Sequence, residues 1–466
     1  MSDRTPGASR PPGPRGFLRS TLGFQRSPLD LVGRLLSEYG DVCSLDLYPV
    51  PLIVVNHPDY IDRVLKARYH NYDRGGPVIT MARNLFGDGL IMASEPRWLF
   101  QRRMLQPAFH RKRVEPFGEL MTDTIAQMLD RWEQVRATDR PIDIRSEMGG
   151  LTLRIVTRVL FATDLDGADV RRFLAAVVTA NRELAAFIRF PFPPLSVRTP
   201  GHRRFHDART VVDDVTYAMI RSHRRDDSDR NSLLSMMMRA HDDVTGARLD
   251  DRQLRDEVFT MLFAGHETTA GTLAWLWHLV GRHPDVELRL REEVDRVLAG
   301  RRPTMADLAR LSYTRQVIDE TLRLYPPAWQ SYRQAVSDDE IGGFRIRAGS
   351  TVFWSSYHLH RHRDYWDDPE RFDPDRFAAA SVGVHASAYI PFGAGPRVCI
   401  GNRLAMAEMQ FAIAMILQRY QLVPTEHAPI TPRPLLALDV SRPVTVRLRP
   451  RAGQPSSTRA PMQNFE

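Results

Sequence analysis

The sequence has 466 residues, of which 43% are hydrophobic and 26% charged, and a formal net charge of +8 at pH 7. This balance is typical of a globular protein, and two cysteines without CxxC spacing exclude a disulfide framework or a zinc site. The basic residues form short clusters without an interleaved aromatic or zinc motif, so nucleic-acid binding is not predicted.

Apolar runs and the first residues of the sequence bear on the location of the protein in the cell. No apolar run approaches the ~18 residues that a membrane-spanning helix needs. The first residues, MSDRTPGASRPPGPRG, lack the apolar core of a signal peptide. We therefore expect a cytoplasmic monomer without a membrane anchor, in a reducing compartment where lone thiols persist. Residues 1–16 and 451–466 are predicted to be flexible tails around a single domain at 17–450.

Taken in chain order, most segments have the apolar spacing of amphipathic helices, which predicts a mainly α protein with small β-sheets. The first helix is expected at residues 30–40, and the runs CSLDL and PLIVVN after it predict a hairpin. The run RFPFPPLSVRTPGHRR then breaks the helical pattern with four prolines. The remaining predictions are a long helix at 254–282, a strand pair at 342–356 turned at Ala348–Gly349, a helix after Gly401, and a closing strand in SRPVTVRLRP.

One of the two cysteines lies in a distinctive run, PFGAGPRVCIG. Phe392, Gly395, Arg397, Cys399 and Gly401 follow the spacing FxxGxRxCxG. A helix predicted after Gly401 would stabilise a thiolate through its N-terminus, and glycines let the backbone approach a flat cofactor. The run fits neither GxGxxG nor GxxxxGK, which argues against a phosphate loop. For an isolated motif, a buried structural cysteine is the alternative interpretation.

This run resembles the haem-ligand loop of the cytochromes P-450, and three further motifs extend the resemblance over roughly residues 27–450. The resemblance implies a triangular helical prism with a long central oxygen-activating helix and a small β-rich region. It implies that Cys399 is the axial iron ligand of haem b, and that Phe392, Gly395, Arg397 and Gly401 lie against this cofactor. A thiolate ligand favours cleavage of the O–O bond.

The second motif is AGHETT, inside the long predicted helix. Small Ala264 and Gly265 open a groove, and Glu267 and Thr268 add an acid and an alcohol. Taken alone, the pattern favours a surface glutamate and a threonine that bonds back to the carbonyl of residue 264. The resemblance implies instead that Ala264 and Gly265 face the haem, and that Glu267 and Thr268 carry protons for oxygen activation.

The third motif, ETLRLYPP, places Glu320 and Arg323 on one helix face. Such pairs are frequent on exposed helices, so the motif is a weak signal alone. The resemblance implies a buried structural network in which Glu320 and Arg323 are joined by Arg371 from the segment PERF.

The fourth motif is PRWLFQRRM, in which Trp98 and Arg102 lie one helical turn apart. By resemblance these residues hold a haem propionate, and Arg333 and Arg397 are the other propionate-binding arginines. Arginines beside carboxylates form strong charge-assisted hydrogen bonds. Taken singly, any one of these arginines would be interpreted as a surface residue.

The resemblance also implies a substrate pocket between the long helix, the segment after Pro327 and a late turn. Its predicted lining is Thr260, Phe263, Ala264, Thr268, Trp329, Gln330, Ser331, Leu435 and Leu436. The loop at 189–201 is either a plain helix–helix connection or a lid over this pocket. A mainly apolar lining predicts a mid-sized hydrophobic substrate. We expect a natural-product polyketide or terpenoid, with a fatty acid as the alternative.

The resemblance implies a monooxygenase that uses O2 and receives electrons from NAD(P)H through a separate ferredoxin reductase and ferredoxin. Basic residues expected near the thiolate side of the haem would attract an acidic ferredoxin. They are Arg102, Arg103, Arg111, Lys112, Arg113 and Arg403. The alternatives are a peroxide-using or redox-neutral enzyme, and a haem-thiolate binding protein or gas sensor. The acid–alcohol pair favours monooxygenation over both.

Overall fold

The computed structural model describes residues 10–14, 16–47, 50–165, 167–225, 232–240, 248–378, 385–426 and 428–451. The α-helices are α1 (Phe17–Arg26), α2 (Pro28–Tyr39), α3 (Pro58–Asp62), α4 (Gly76–Phe86), α5 (Arg97–Leu105), α6 (Arg111–Val114), α7 (Phe117–Arg136), α8 (Ile144–Phe161), α9 (Gly167–Arg189), α10 (Pro200–Arg225), α11 (Leu233–Arg239), α12 (Asp251–Val280), α13 (Pro284–Leu298), α14 (Ser312–Leu324), α15 (Ser356–Leu359) and α16 (Asn402–Arg419). The strands are β1 (Val42–Leu45), β2 (Leu52–Val55), β3 (Tyr72–Asp73), β4 (Ile142–Asp143), β5 (Ser331–Ala335), β6 (Asp339–Ile341), β7 (Phe344–Ile346), β8 (Thr351–Trp354), β9 (Tyr420–Pro424), β10 (Pro432–Pro434), β11 (Leu438–Val440) and β12 (Thr445–Pro450).

Helix α12 is the centre of the protein. Its 30 residues begin at a capping box, in which the side chains of Asp250 and Gln253 each accept a hydrogen bond from the other residue's amide. The helix is buried nearly all round from Leu254 to Trp277, and its buried side chains include the carboxyl groups of Glu257 and Glu267. It packs against α8, α10, α14, α16 and β11. The predicted long helix and the mainly α class are confirmed.

The sheets are small and lie around this helical core. Their strand orders are β1-β2-β8-β5-β3, β4-β12-β9, β10-β11 and β6-β7. The N-terminal hairpin is confirmed, since Val42 in β1 pairs with Val55 in β2. The predicted pairing across Ala348–Gly349 is wrong. β7 pairs with β6, whereas β8 pairs with β2 and β5. The apolar β8 is therefore part of the five-stranded sheet and does not pair with β7, its neighbour in sequence.

The predicted flexible tails lie largely outside the described residues. The described part of the N-terminal segment is held in place, because Pro12 accepts a hydrogen bond from the amide of Ser44 at 2.7 Å. A Cβ atom on Gly13 would lie 2.0 Å from the carbonyl oxygen of Ser44, so the contact is close. The flexibility of the two tails stays a prediction. Within the described ranges, no helix is long and apolar enough to span a bilayer.

Candidate haem-thiolate site

The loop that carries Cys399 is shaped by two glycines and closed by its own backbone. Gly393 and Gly395 have φ angles of 73° and 68°, a left-handed conformation that glycine adopts without strain. A Cβ atom on Gly395 would lie 1.9 Å from the carbonyl oxygen of Leu65, so a side chain is excluded there. The amide of Cys399 donates to the carbonyl oxygen of Phe392 at 2.9 Å. The loop therefore holds Cys399 just before the first turn of α16.

The two cysteines have different surroundings. Cys43 is packed inside an apolar cluster on β1, and burial raises the pKa of its thiol to about 12. Cys399 is exposed. Desolvation by the surrounding protein raises the pKa of the Cys399 thiol on balance, while the backbone N–H of Gly401 and the charge of Arg102 act in the opposite direction. Cys399 is thus open to a ligand, and Gly401 and Arg102 partly offset the desolvation that disfavours its thiolate.

Three of the predicted cofactor residues meet beside this loop. Arg102 donates from Nη1 to the carbonyl oxygen of Val398 at 2.8 Å. The guanidinium of Arg397 lies 4.2 Å from the ring centroid of Trp98. Arg397 also donates to Asp73 Oδ1 at 2.7 Å. The helix α5 and the cysteine loop are therefore joined by the same side chains that were predicted to hold propionates.

Arg333 joins this group from β5, and with it comes an arginine that sequence reasoning missed. Burial and the charges of Arg74 and Arg397 lower the pKa of Arg333 well below its ordinary value. Burial and Arg397 also lower the pKa of Arg74 to about 10. Arg74 stands in YDRGGP, which carries no motif, so only its position in space identifies it. Crowded, buried guanidinium groups are stabilised by carboxylates, so this donor set fits the two propionates of a haem.

The AGHETT segment forms a narrow partly exposed stripe on an otherwise buried helix. Between Leu254 and Trp277, every residue of α12 is buried except Ala264, Gly265 and Thr268. Thr268 donates from Oγ1 to the carbonyl oxygen of Ala264 at 2.8 Å. A Cβ atom on Gly265 would lie 2.7 Å from the side chain of Val156, so this glycine also allows α8 to pack closely.

Glu267 lies in a buried ionic network that the sequence did not predict. Its Oε1 is 2.9 Å from Arg145 Nη2, and its Oε2 is 3.5 Å from His266 Nε2. Arg145 also donates from Nε to Asp439 Oδ1 at 2.7 Å. The prediction of Glu267 as a surface acid, taken from the pattern alone, is therefore wrong. Arg145 and Asp439 come from distant segments with no shared motif, so no sequence signal indicates them.

The Glu320–Arg323 pair is buried as predicted, but its third member is different. Arg323 donates from Nε and Nη2 to Glu320 at 2.7 and 2.8 Å, and both side chains have 0% exposure. Arg371 contributes its carbonyl oxygen, which accepts from Arg323 at 3.1 Å, while its side chain is 66% exposed. The prediction of an Arg371 side chain in the network is therefore wrong. Arg376 points to Glu320 instead, with Nε at 3.6 Å from Oε1.

The predicted pocket residues divide into two groups. Thr260 and Trp329 are buried, so their place in a pocket lining stays a prediction. The Oγ1 of Thr260 faces Gly89, where a Cβ atom would lie 2.2 Å away, and Trp329 donates to the carbonyl oxygen of Leu435 at 2.9 Å. Phe263 and Leu435 are also buried. Gln330, Ser331 and Leu436 are partly exposed.

The predicted lid is the connection between α9 and α10. Phe190, Phe192 and Val197 in this loop are exposed. Arg189, at the end of α9, donates to the carbonyl oxygen of Pro434 in β10. The loop is therefore connected to the hairpin β10–β11 that carries the predicted late turn.

Comparisons with known proteins agree with this geometry. The family described as Cytochrome P450 matches residues 11–445. Cyclooctat-9-en-7-ol 5-monooxygenase and cyclooctatin synthase, both of Streptomyces melanosporofaciens, are 37% and 38% identical, with 89% and 92% of each chain covered. Pentalenene oxygenase of Streptomyces avermitilis is 35% identical over 98% of this chain and 100% of that protein.

The extent of these matches defines an oxygen-incorporating oxidoreductase that carries a haem. The chain belongs to the cytochrome P450 family. It is a monooxygenase that uses haem, O2, an organic substrate and redox partners.

Proposed function

We propose that this monooxygenase oxidises a terpenoid skeleton, with haem b bound through Cys399 as its axial thiolate. The observation that carries the haem assignment is the convergence of Trp98, Arg102 and Arg397 on the Cys399 loop. The terpenoid assignment is supported by the named substrates of two relatives, cyclooctat-9-en-7-ol and pentalenene. Both proteins cover most of this chain, so the whole catalytic domain is compared and not one motif.

The haem supplies the redox chemistry: when bound, it activates O2 with two electrons and transfers one oxygen atom to carbon. Arg102, Arg333 and Arg397 would hold its carboxylates by charge-assisted hydrogen bonds, and Arg74 would add positive charge beside them. The glycines at 393 and 395 would let the loop lie close to the ring. Because α12 is buried on both sides of the Ala264–Thr268 stripe, only this short stretch of its buried part would face the cofactor.

Proton delivery falls to Glu267 and Thr268. The hydroxyl of Thr268 lies on the partly exposed stripe, where it can release its bond to Ala264 and donate toward the reacting oxygen. Glu267 directly precedes Thr268 in the helix, but its side chain is buried. Its carboxyl group can relay protons to the threonine. The pair thus combines a protected acid with an accessible hydroxyl.

The substrate would lie against the partly exposed residues of the predicted pocket. Leu436 offers an apolar contact, and Gln330 and Ser331 offer polar groups that orient a hydroxylated skeleton. Phe263 and Leu435 support this surface from within. The loop at 189–201 would act as a lid, since its exposed aromatic side chains border the end of α9.

We also propose an acidic ferredoxin, served by an NAD(P)H-dependent reductase, as the electron donor. Arg103, Lys112 and Arg403 are exposed. The ring of Phe109, just before α6, lies 3.9 Å from where a Cβ atom on Gly401 would be, so this basic surface adjoins the cysteine loop. Arg102 is directed inward to Val398 and is excluded from the docking surface.

The chain is further proposed to be a monomeric, single haem-thiolate domain at 17–450, extended toward residue 10 by the contact with β1. A cytoplasmic location fits two free thiols, because a reducing compartment preserves them.

The test combines the purified protein with a ferredoxin, its reductase, NAD(P)H and isotopically labelled O2. A panel of cyclic terpenes and terpene alcohols is compared with fatty acids of similar carbon number, first by optical binding titration and then by mass spectrometry. We expect terpenoids to bind and to gain one labelled oxygen atom. Exclusive labelling of fatty acids would overturn the terpenoid assignment. Labelled product in the absence of any electron donor would overturn the proposal that a ferredoxin supplies the electrons.

A further inference from the structure

The carboxylate of Glu267 shares its cation with a second carboxylate from another part of the fold. Arg145 lies in the first turn of α8, where its amide donates to the N-cap residue Asp143 at 3.1 Å. Its guanidinium uses Nη2 for Glu267 and Nε for Asp439. One fixed arginine therefore bridges the central helix α12 and the strand β11.

The charges along this bridge alternate, and Glu267, Arg145 and Asp439 are shielded from solvent, whereas Arg433 at the outer end is 42% exposed. Burial opposes the charge of Arg145, but the negative charges of Glu267 and Asp439 outweigh it and raise the pKa of the guanidinium. Burial alone would also raise the pKa of Asp439, yet Arg145 and Arg433 hold it below its ordinary value. Arg433 in β10 completes the row, with Nη2 at 3.0 Å from Asp439 Oδ2.

His266 is the other titratable group that faces Glu267. Its Nδ1 lies 2.7 Å from the carbonyl oxygen of Leu262, which requires the proton on Nδ1 in the neutral ring. Burial lowers the pKa of His266. Its Nε2 has no hydrogen-bond partner among the described residues. The neutral ring thus presents a lone pair to Glu267, and Arg145 is the cation that holds the carboxylate.

The hairpin β10–β11 connects this bridge to the proposed substrate surface and lid. The amide of Leu436, in its turn, donates to Asn181 Oδ1 on α9 at 3.1 Å. Pro434 accepts from Arg189 at the start of the lid loop, and Leu435 accepts from Trp329. Asp439 lies three residues beyond Leu436 on the same short hairpin, so a displacement of the turn also displaces the carboxylate that competes for Arg145.

We propose that Arg145 and Asp439 are positioning residues that couple contact at the β10–β11 turn to proton delivery by Glu267. The proposal rests on the proposed monooxygenase function, in which Glu267 supplies protons. When Asp439 draws on Arg145, Glu267 is held less tightly and exchanges protons more readily. When Asp439 withdraws, the buried ion pair tightens, because two opposite charges in a low-dielectric interior attract strongly. A substrate seated against Leu436 therefore sets how readily protons reach oxygen.

The ionic link is tested first without turnover. The melting temperature of the substrate-free holoenzyme is measured for Glu267→Gln, Asp439→Asn and the double variant, and again in an Arg145→Gln background. We expect the two changes to be non-additive with Arg145 present and additive without it, since only the shared arginine joins the carboxylates. Additive changes in both backgrounds would overturn the bridge. If Asp439→Asn fails to fold, it is replaced by Asp439→Glu, which keeps the negative charge and lengthens the side chain.

The coupling to proton delivery is tested with saturating substrate. Asp439→Asn should slow NAD(P)H-dependent product formation by about tenfold, a part of the ~10²–10⁴-fold that proton transfer contributes, and raise the solvent deuterium isotope effect. The substrate dissociation constant from optical titration should change by less than about twofold, because the neutral side chain keeps its shape.

The matched control is Asp307→Asn, which also removes a buried aspartate paired with an arginine, Arg301, but on the 3₁₀ turn Met305–Arg310. It should lower the melting temperature and leave the isotope effect unchanged. A wild-type isotope effect in Asp439→Asn, with Glu267→Gln impaired, would overturn the coupling alone. Wild-type turnover in Glu267→Gln would overturn both the coupling and the proposed proton route. If the wild-type protein forms no oxygenated product, the proposed function is contradicted. The melting-temperature experiment still tests the ionic bridge in that case.

Discussion

Arg102 donates a hydrogen bond to the carbonyl oxygen of Val398, the residue before Cys399, over a distance of 2.8 Å. This contact ties α5 to the cysteine loop and brings a positive charge toward the sulfur. The same guanidinium can therefore fix the shape of the loop, favour the thiolate and receive a carboxylate of the haem. It also explains why Arg102 is directed inward, away from the basic surface formed by its neighbours.

The first prediction concerns the iron ligand. Cys399→Ser should abolish the red-shifted Soret band that the reduced protein forms with carbon monoxide, because an alcohol does not replace a thiolate as an electron donor to iron. Cys43→Ser should keep the band, since that thiol is buried in the β1 cluster. Loss of the band in the Cys43 variant alone would reassign the ligand.

The second prediction concerns the ionic network around Glu320. Glu320→Gln leaves the fully buried Arg323 without its carboxylate and should cost about 3–5 kcal/mol of unfolding free energy. Arg376→Gln should cost roughly 1–2 kcal/mol, whereas Arg371→Gln should stay within about 0.5 kcal/mol because its side chain is exposed. Urea denaturation of the three variants measures this order. A larger loss of unfolding free energy in Arg371→Gln than in Arg376→Gln would mean that Arg371 is the third member of the network, as the resemblance implies.

The choice between these two arginines shows what the sequence could and could not decide. The pattern Pro-acid-Arg-Phe occurs twice, as Pro369–Phe372 and again as Pro374–Phe377. Local chemistry is the same in both copies. Which arginine reaches Glu320 depends on how the turn between them folds against α14, and that is a tertiary contact.

Periodicity predicted the long helix well, with expected ends within a few residues of Asp251–Val280. Local rules succeed there because a helix is made of contacts between near neighbours. Strand partners are chosen over long distances, which explains the mistaken pairing of β7 with β8. The Arg145–Asp439 contact joins residues 294 positions apart, so a single sequence contains no trace of it.

The third prediction is a pH dependence of stability that arises at Glu257, on the buried part of α12. Burial raises the pKa of this carboxyl from 4.5 to about 8, while its Oε2 accepts from the amide of Leu90 at 3.1 Å. The folded state therefore keeps a proton that the unfolded chain releases above pH 4.5. This contribution to stability is fully present below pH 4.5 and is lost as the pH rises through 8.

The variant Glu257→Gln should flatten this part of the stability profile, by on the order of 5 kcal/mol between the two ends of the window. Chemical denaturation at several pH values measures the slope. Glu292→Gln, an exposed glutamate on α13, is the control and should keep the wild-type slope. An unchanged slope in Glu257→Gln would mean that the buried carboxyl is ionised in the folded protein.

The fourth prediction concerns the electron donor. Reversal of the three charges at Arg111, Lys112 and Arg113 should slow reduction by an acidic ferredoxin by about tenfold at low salt, because electrostatic steering raises association rates by ~10–10³-fold. Added salt should slow the wild-type reaction and reduce the difference. The comparison of Arg111→Glu with Arg203→Glu, an exposed arginine on α10, separates this surface from a general effect of net charge. Equal slowing by both variants would exclude docking at α6.

The last prediction concerns the part that the Thr268 hydroxyl plays in coupling NAD(P)H consumption to product formation. Thr268 presents its hydroxyl on the one partly exposed stripe in the buried stretch of α12 between Leu254 and Trp277. Thr268→Ala removes this hydroxyl and its bond to Ala264, but alanine is a strong helix former, so the helix should persist. Haem binding, substrate binding and reduction need no proton and should remain close to wild type.

The fate of oxygen should change in this variant. Without the hydroxyl, protons reach oxygen without control, so NAD(P)H consumption continues while product falls and hydrogen peroxide rises. Glu267→Gln should instead slow the whole cycle, because proton supply itself is impaired, and the effect should lie within the ~10²–10⁴-fold range of general acid–base catalysis. The ratio of product to NAD(P)H consumed, with peroxide quantified in parallel, measures both effects.

Thr272→Ala provides a matched control for this experiment. Thr272 makes the same kind of bond to its own helix, from Oγ1 to the carbonyl oxygen of Thr268 at 2.9 Å, but its side chain is buried one turn further along. Its removal should leave the product-to-NAD(P)H ratio unchanged, because the lost hydroxyl lies off the exposed stripe. If Thr268→Ala also keeps the wild-type ratio, the controlling hydroxyl lies elsewhere, for example on the substrate. Equal peroxide release by both variants would mean that a disturbance of the helix, and not the Thr268 hydroxyl, causes the uncoupling.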